Sequence, residues 1–344
     1  MTNIGITSTV PVEVALAAGH RPVDLNNLFV GDADPARLIA VAERAGFPQN
    51  LCAWIKGIYG ACFAHGIETV LGVTTGDCSN TEMLLEVLRL HGIEVLSFAY
   101  PEVANEVRMA HALESLAESL GTTIAAAEAV RRDLVAARQL AADLDRLTWA
   151  ENLASGFENH YWQVSASDFG GDIAAYTVGL RALLDEIGRR RPYPDDELRL
   201  AFIGVPPIFA RDLHTFLEHN GARVVFNEIQ RQFAMPFAVA SLAEQYTRYT
   251  YPYALAQRLA DIAPEMARRR IDGVIHYVQT FCHRGIADIV FRYHIGLPML
   301  TLEGNNEFAL TEHHRTRIEA FLDVVRRRRE PARSRLAISN TKEE

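Results

Sequence analysis

Four cysteines are the residues of this sequence best suited to redox or metal chemistry: Cys52, Cys62, Cys78 and Cys282. Cysteine thiolates bind zinc ions and iron–sulfur clusters. Their spacing does not by itself identify a site, because the sequence contains no Cys-x-x-Cys pair and no ferredoxin-type run. Free cysteine is among the most buried residue types, so spacing alone favours inert, buried thiols.

Two of the cysteines follow predicted buried strands. Cys78 lies in a polar loop after a short apolar run at 68–73. Cys282 follows a similar run at 273–278. In doubly wound parallel sheets, ligands bind at the carboxyl ends of the strands, which is where both thiols are expected.

The other two cysteines share one predicted helix at 51–65. Cys52 lies near its start, and helix N-termini favour negatively charged groups such as thiolates. Cys62 lies between the apolar residues Ala61 and Phe63, which favours a packing role. The pattern therefore leaves Cys52, Cys78 and Cys282 as the thiols that could meet between two domains.

Apolar periodicity predicts an α/β fold with two doubly wound parallel-sheet domains of the Rossmann or flavodoxin-like kind, separated by a helical subdomain. The proline-rich segment 191–196 is a plausible linker. The expected units are an N-terminal α/β domain at 1–104, a helical subdomain and linker at 105–194, a C-terminal α/β domain at 195–330 and a flexible tail at 331–344.

Composition and charge exclude several classes of function. The 344 residues are 49% hydrophobic and 22% charged, which is typical of a folded soluble protein. The net charge of −9 argues against a nucleic-acid partner. No apolar run reaches the ~18 residues of a membrane span, and the N-terminus does not have the features of a signal peptide. We therefore expect a cytoplasmic protein without a membrane partner.

Several segments, in order along the chain, resemble the 2-hydroxyacyl-CoA dehydratase and benzoyl-CoA reductase family, and in particular the D-component of 2-hydroxyglutaryl-CoA dehydratase. The similarity extends over about 5–325. The segments that carry it are 7–23, 52–57, 76–80, 221–225, 272–276, 281–282, 296–304 and 316–321. Family members often have an acidic residue after the Leu-Glu-Gly turn, where this sequence has Asn305 and Asn306.

The resemblance implies a [4Fe-4S] cluster bound by Cys52, Cys78 and Cys282, with one iron left without a protein sulfur. Cys62 is a disfavoured fourth ligand. The implied activity is a carbon–oxygen lyase reaction: water leaves an (R)-2-hydroxyacyl-CoA through a ketyl radical formed by one-electron reduction. The implied partners are the acyl-CoA substrate, a related second subunit or a second copy, and an ATP-dependent iron–sulfur activator. The sequence has no P-loop of its own, which is compatible with a separate activator.

No general base can be assigned from the resemblance. Glu13, Ser8 and His276 are weak catalytic candidates, because each is a polar residue inside a matching segment and capping or strand-end hydrogen bonds explain them equally well.

Several alternatives remain open. They are reduction of an aromatic acyl-CoA as in benzoyl-CoA reductase, a non-catalytic electron-relay subunit, and a zinc site that includes His283. A double-cubane site is disfavoured, since four thiols are too few for it.

Overall fold

The computed structural model describes the backbone of residues 1–340 and the side chains of residues 1–329. The described chain contains two four-stranded parallel sheets. The N-terminal sheet has β1 (Thr2–Ile6), β2 (His20–Asp24), β3 (Thr69–Thr75) and β4 (Glu94–Ala99) in the order β2-β1-β3-β4. The C-terminal sheet has β5 (Leu198–Gly204), β6 (Ala222–Asn227), β7 (Gly273–Gln279) and β8 (Met299–Gly304) in the order β6-β5-β7-β8.

The two sheets have the same strand order, and this confirms the predicted α/β class with two doubly wound parallel domains. In each sheet the order reverses beside the first strand, and such a switch point creates a crevice at the carboxyl ends of the strands. The helices are α1 (Val12–Ala17), α2 (Leu25–Gly31), α3 (Pro35–Arg44), α4 (Ala53–Ala64), α5 (Ser79–Leu90), α6 (Glu106–Ser119), α7 (Ile124–Trp149), α8 (Gly156–Ser165), α9 (Ile173–Ile187), α10 (Ala210–His219), α11 (Glu228–Phe233), α12 (Leu242–Arg248), α13 (Leu255–Arg268), α14 (Ala287–His294) and α15 (Glu312–Asn340).

The first two strands were not predicted from the sequence. β1 contains a glycine, and β2 is an edge strand that contains Pro22. Glycine and proline both weaken the strand signal, and proline is tolerated mainly at sheet edges. The sheet therefore begins with a pair of strands that tertiary pairing, rather than local propensity, holds together.

The segment between β6 and β7 crosses back to the N-terminal half of the molecule. Leu242 and Tyr246 of α12, with Tyr249 just beyond it, are buried in the same apolar cluster as Ile4 and Ile6 of β1. Residues from both halves thus form one core around the N-terminal sheet, and this packing fixes the two sheets relative to each other.

The expected flexible tail at 331–344 extends beyond the described residues, because 341–344 lie outside them. Within the part of the chain that is described, no helix combines the length and apolarity required to cross a lipid bilayer.

Gly60 allows α4, the helix that begins after Cys52, to pack closely on α3. A Cβ at this position would lie 2.1 Å from the backbone oxygen of Leu38. We expect Gly60→Ala to lower the free energy of unfolding by about 1–3 kcal/mol, because the helices must separate. Urea unfolding measures the loss. Gly31→Ala is the control, since its Cβ would meet no atom within 4 Å, and an equal loss in both variants would contradict the close-packing role of Gly60.

Candidate functional site

A cavity of about 560 Å³ lies between the two α/β halves and α8. Its wall includes residues that follow β1, β2 and β3 in one sheet and β5 and β7 in the other. Most of these residues lie at the carboxyl ends of parallel strands, where doubly wound folds bind ligands. The start of α4 and one face of α8 complete the wall, so the cavity is the candidate site.

Cys52, Cys78 and Cys282 all line this cavity and are partly exposed. Cys52 immediately precedes α4, and Cys78 immediately precedes α5. Cys282 immediately precedes the 3₁₀ helix His283–Ile286, which leads into α14. The structure therefore brings together the three thiols that the sequence singled out, each at the start of a helical segment.

Cys78 and Cys282 occupy equivalent places in the two sheets, since each follows the third strand of its domain. Gly76, with φ +100°, allows the sharp turn from β3 to Cys78. Phe281 adopts the same left-handed region, with φ +63°, just before Cys282. Backbone strain at a residue with a side chain is typical of functional sites, because surrounding structure must hold it in place.

A side-chain amide of the C-terminal domain holds the start of α4. Asn305, which follows β8, accepts a hydrogen bond from the backbone N–H of Ala53 over 2.9 Å. Lys56, fully buried one turn later, forms an ion pair with Glu43 and donates to the backbone oxygen of Gln49. These contacts fix the start of α4 and hence the position of Cys52.

Charges on the three thiols would repel one another. Burial raises the pKa of Cys52 to about 11, although the backbone N–H groups of Ile55 and Trp54 favour the thiolate, and charge on Cys78 and Cys282 raises it further. Burial and the neighbouring Asp77 also raise the pKa of Cys78. Metal binding requires deprotonated thiols, so the positive charge of bound iron would offset this repulsion. Three thiols in one cavity are the donor type that binds zinc ions and iron–sulfur clusters.

Among the side chains of residues 1–329, no group of three His, Cys, Asp or Glu residues is arranged to hold a metal ion. A zinc ion requires its sulfur ligands about 2.3 Å from one point, whereas an iron–sulfur cluster distributes its thiolates over several iron atoms.

Cys62 differs from the other three cysteines in its burial and in its position relative to the cavity. It is fully buried, packs in the apolar cluster between α4 and β3, and does not line the cavity. Its Sγ donates to the backbone oxygen of Ile67 over 3.5 Å. Burial raises its pKa to about 12. These observations fit packing better than metal binding.

The three polar candidates have different surroundings. Ser8 lines the cavity. Glu13 is fully buried away from it and pairs with Arg138 over 2.6 Å. Burial would raise the pKa of Glu13, but Arg138 and two hydrogen-bond donors hold it below its usual range. His276 also lies outside the cavity wall, with its Nδ1 2.9 Å from Asp288 Oδ1, and burial lowers its pKa.

Several cavity residues were not singled out by the sequence. Arg284 lies near Asp77, and its guanidinium stacks 4.1 Å above the Tyr251 ring. In the sequence, Asp77 could have been noticed because it precedes Cys78, and Arg284 because it lies two residues after Cys282. Tyr251 gave none, since it enters from a distant segment.

A second cation, Arg211, lies at the cavity wall and is exposed. Its guanidinium stacks 4.3 Å above the Phe157 ring of α8. No acidic side chain among residues 1–329 forms an ion pair with it. An arginine in this state is available to bind an anionic ligand group such as a phosphate.

Comparison with known proteins shows the family of the chain. No curated protein sequence matches the chain. A family model described as 2-hydroxyglutaryl-CoA dehydratase, D-component, matches residues 7–325, a range that contains every residue of the cavity wall. The chain belongs to the 2-hydroxyglutaryl-CoA dehydratase D-component family.

Proposed function

We propose that this chain is the iron–sulfur subunit of an enzyme that removes water from an (R)-2-hydroxyacyl-CoA. Its family is that of a dehydratase subunit. The observation that supports the proposed cluster and reaction is that three partly exposed thiols, from both domains, line one cavity of about 560 Å³. Cys52, Cys78 and Cys282 are the proposed ligands of a [4Fe-4S] cluster.

A [4Fe-4S] cluster with an iron that has no protein ligand supplies, when bound, Lewis acidity and one electron for the thioester carbonyl. The proposed reaction then proceeds through a ketyl radical of the substrate, which expels the α-hydroxyl. The chain's own contribution is the surrounding wall, which is mostly apolar. Ile55, Ile58, Val164 and Val205 are among its apolar members, and such a wall excludes water from reactive intermediates.

Recognition of the CoA portion is proposed to involve Arg211. CoA carries phosphate groups, and guanidinium binds phosphate in a planar, two-point geometry. Arg211 is stacked on Phe157 and has no acidic partner among the described side chains, so binding a phosphate would not require an existing ion pair to break.

Electron delivery is proposed to come from a separate ATP-dependent iron–sulfur activator, and a related subunit or second copy completes the enzyme. An apolar surface beside Cys282 supports a protein partner that approaches the cluster ligands. It is formed by Phe281, Ile286, Ile289 and Tyr293, which are exposed by 79%, 71%, 71% and 85%. Several large exposed apolar side chains within one short segment are typical of protein interaction sites.

The substrate class is tested by competition between two thioesters. The anaerobic enzyme, isolated together with any second subunit that copurifies with it, is supplied with activator, ATP and reductant, and offered a short-chain (R)-2-hydroxyacyl-CoA or benzoyl-CoA. We expect mass spectrometry to detect the 2-enoyl-CoA, with loss of one water, and no change in benzoyl-CoA. The control omits ATP, and conversion should then stop because the electron is not delivered.

Two results would contradict the proposal. Reduction of benzoyl-CoA without water loss from the hydroxyacyl-CoA would indicate an aromatic reductase. No conversion of either thioester, together with an absorption spectrum that neither thioester alters, would indicate an electron-relay subunit.

A further inference from the structure

A pair of buried carboxyl groups lies at one wall of the cavity. Asp24 ends β2, precedes α2 and lines the cavity, and it is 6% exposed. Asp168, 5% exposed, lies behind it in the turn after α8. The backbone N–H of Asp24 donates to Asp168 Oδ2 over 2.7 Å. The hydroxyl of Ser167 donates to Asp24 Oδ2 over 2.6 Å.

The donors to this pair are neutral. Asp24 Oδ1 accepts from the backbone and side-chain N–H groups of Asn26, each over 2.9 Å. Asp168 Oδ1 accepts from the backbone of Gly170 over 2.8 Å. Among the side chains of residues 1–329, no cation lies within the 4.0 Å of an ion pair with either carboxyl. Burial without a cation disfavours negative charge on both carboxyls at once, so the pair favours retention of one proton.

The other charged groups near β2 are engaged elsewhere. Arg21, on β2 itself, donates to Asn3 over 2.8 Å. Glu13 of α1, which packs on β2, pairs with Arg138. Asp172 caps α9 by accepting from the backbone of Ala175. His20, on β2, has a buried Nδ1 without a partner. None of these side chains forms an ion pair with Asp24.

Electrostatics agrees with the geometry. Burial raises the pKa of Asp24. Burial and the charge of Asp24 raise the pKa of Asp168 to about 6. The pair therefore retains a proton at pH values where an ordinary aspartate, with a pKa of about 3.9, has lost it.

We propose that Asp24 is the catalytic proton-transfer residue of this cavity, and that Asp168 is a positioning residue that keeps a proton on the pair. The inference rests on the proposed function and identifies the acid and base of that reaction. Asp24 is the assigned catalytic member because it lines the cavity, whereas Asp168 does not.

Asp24 alone can both donate and remove the protons that the dehydration requires. After a one-electron donor has reduced the thioester, the carboxylic acid of Asp24 protonates the departing α-hydroxyl, the C–O bond breaks and water forms. The resulting Asp24 carboxylate then removes a proton from the β-carbon, and the electron returns to its donor. Asp24 is again protonated, and the net change is loss of one water.

Asp24→Asn separates proton transfer from structure. Asparagine caps a helix as well as aspartate does, so α2 should keep its N-terminus. Asp34→Asn is the matched control: Asp34 caps α3 by accepting from Arg37 and does not line the cavity. We expect Asp24→Asn to lower turnover of the hydroxyacyl-CoA about 10²–10⁴-fold, and Asp34→Asn to leave it unchanged.

Two further readouts separate catalysis from folding. The Kd of the hydroxyacyl-CoA without reductant should change less than about threefold in Asp24→Asn, since an amide still forms hydrogen bonds. Asp168→Asn should shift the alkaline limb of the pH–rate profile to lower pH, because it removes the second carboxyl of the pair and with it the site that retains a proton near neutral pH.

Unfolding of the cluster-free protein, which needs no turnover, tests whether the carboxyl pair retains a proton. A carboxyl whose pKa is raised by folding binds more protons in the native state, so stability falls as pH rises from the unfolded value toward the folded one. In urea unfolding of the cluster-free protein, the stability of wild type relative to Asp24→Asn or Asp168→Asn should therefore decline between about pH 4 and pH 6. The stability of wild type relative to Asp34→Asn should stay constant over the same range.

The outcomes are distinguishable. Wild-type turnover in Asp24→Asn, or equal pH dependence of unfolding in wild type and both pair variants, overturns the assignment of Asp24 and leaves the proposed function standing. A loss of turnover that is matched by loss of substrate binding also overturns it, in favour of a structural role. No dehydration by wild type or Asp34→Asn overturns the proposed function, and the catalytic assignment with it.

Discussion

Alanine at Cys52, Cys78 or Cys282 is expected to leave the anaerobically purified protein with little or no iron and sulfide. Each thiol lines the same cavity and stands at the start of a helical segment. A cluster with three protein ligands has no spare thiolate nearby, because the remaining cysteine is buried elsewhere. Loss of any one ligand should therefore release the cluster, and iron and sulfide analysis measures this directly.

Cys62→Ala is the matched control for these three variants. Cys62 lies in the same helix as the residues that follow Cys52, yet it is buried away from the cavity. We expect it to retain its iron and its brown colour, with only a modest loss of stability from the removed sulfur. A full iron complement in Cys282→Ala, or iron loss in Cys62→Ala alone, would contradict the proposed ligand set.

The pattern of strands and helices carried most of the information that could be predicted. Cys78 and Cys282 follow apolar, β-branched runs, and parallel topology places the ends of such strands at one edge. The burial of Cys62 followed from its apolar neighbours. These inferences are local, since each depends on a few residues around the cysteine and on general rules for parallel sheets.

The rest of the site depends on contacts between distant residues. Cys52 is placed by Asn305, which is more than two hundred positions away in the chain, and nothing near either residue announces the hydrogen bond. Nothing in the sequence around Asp24 distinguishes it from the other aspartates. Only the fold brings Asp168 behind it and the cavity in front of it.

Buried charged side chains could not be predicted from the sequence either. The sequence shows Arg268, Arg269 and Arg270 as a run whose usual interpretation is a solvated helix end. In the structure the side chain of Arg269 is fully buried, and its guanidinium binds both carboxylate oxygens of Asp145 over 2.8 and 2.6 Å. Asp145 belongs to α7, so the pair fastens the long central helix to the C-terminal domain.

Replacing Arg269 by methionine is expected to lower the free energy of unfolding by about 3–5 kcal/mol. Removal of one partner leaves an uncompensated buried charge, which is the costly way to break a buried ion pair. The guanidinium also donates to the backbone oxygen of Val225 and to Glu265. Urea unfolding of the variant measures the loss if both proteins keep the same slope with urea concentration.

Arg268→Met is the control, because this neighbouring side chain is about half exposed and its ion pair with Glu265 is screened by solvent. We expect it to cost about 1 kcal/mol or less. The double variant Arg269→Met, Asp145→Leu should recover much of the loss, since replacing both partners by apolar groups removes the unpaired charge. Equal losses in Arg268→Met and Arg269→Met would contradict the buried-pair explanation.

The loss of stability in Arg269→Met should depend on pH, because the variant leaves the buried carboxyl of Asp145 without its cation. In the wild type, burial would raise the pKa of Asp145, but Arg269 holds it below its usual range. That contribution to stability is present above the unfolded pKa and is lost as pH falls through the lower folded value. Without Arg269, burial dominates and the pKa of Asp145 rises, so the carboxylate is costly at neutral pH and less so in acid. The difference in unfolding free energy between wild type and Arg269→Met should therefore shrink as pH falls from 7 toward 4, whereas a difference that grows in acid would mean that Asp145 is not the group left unpaired.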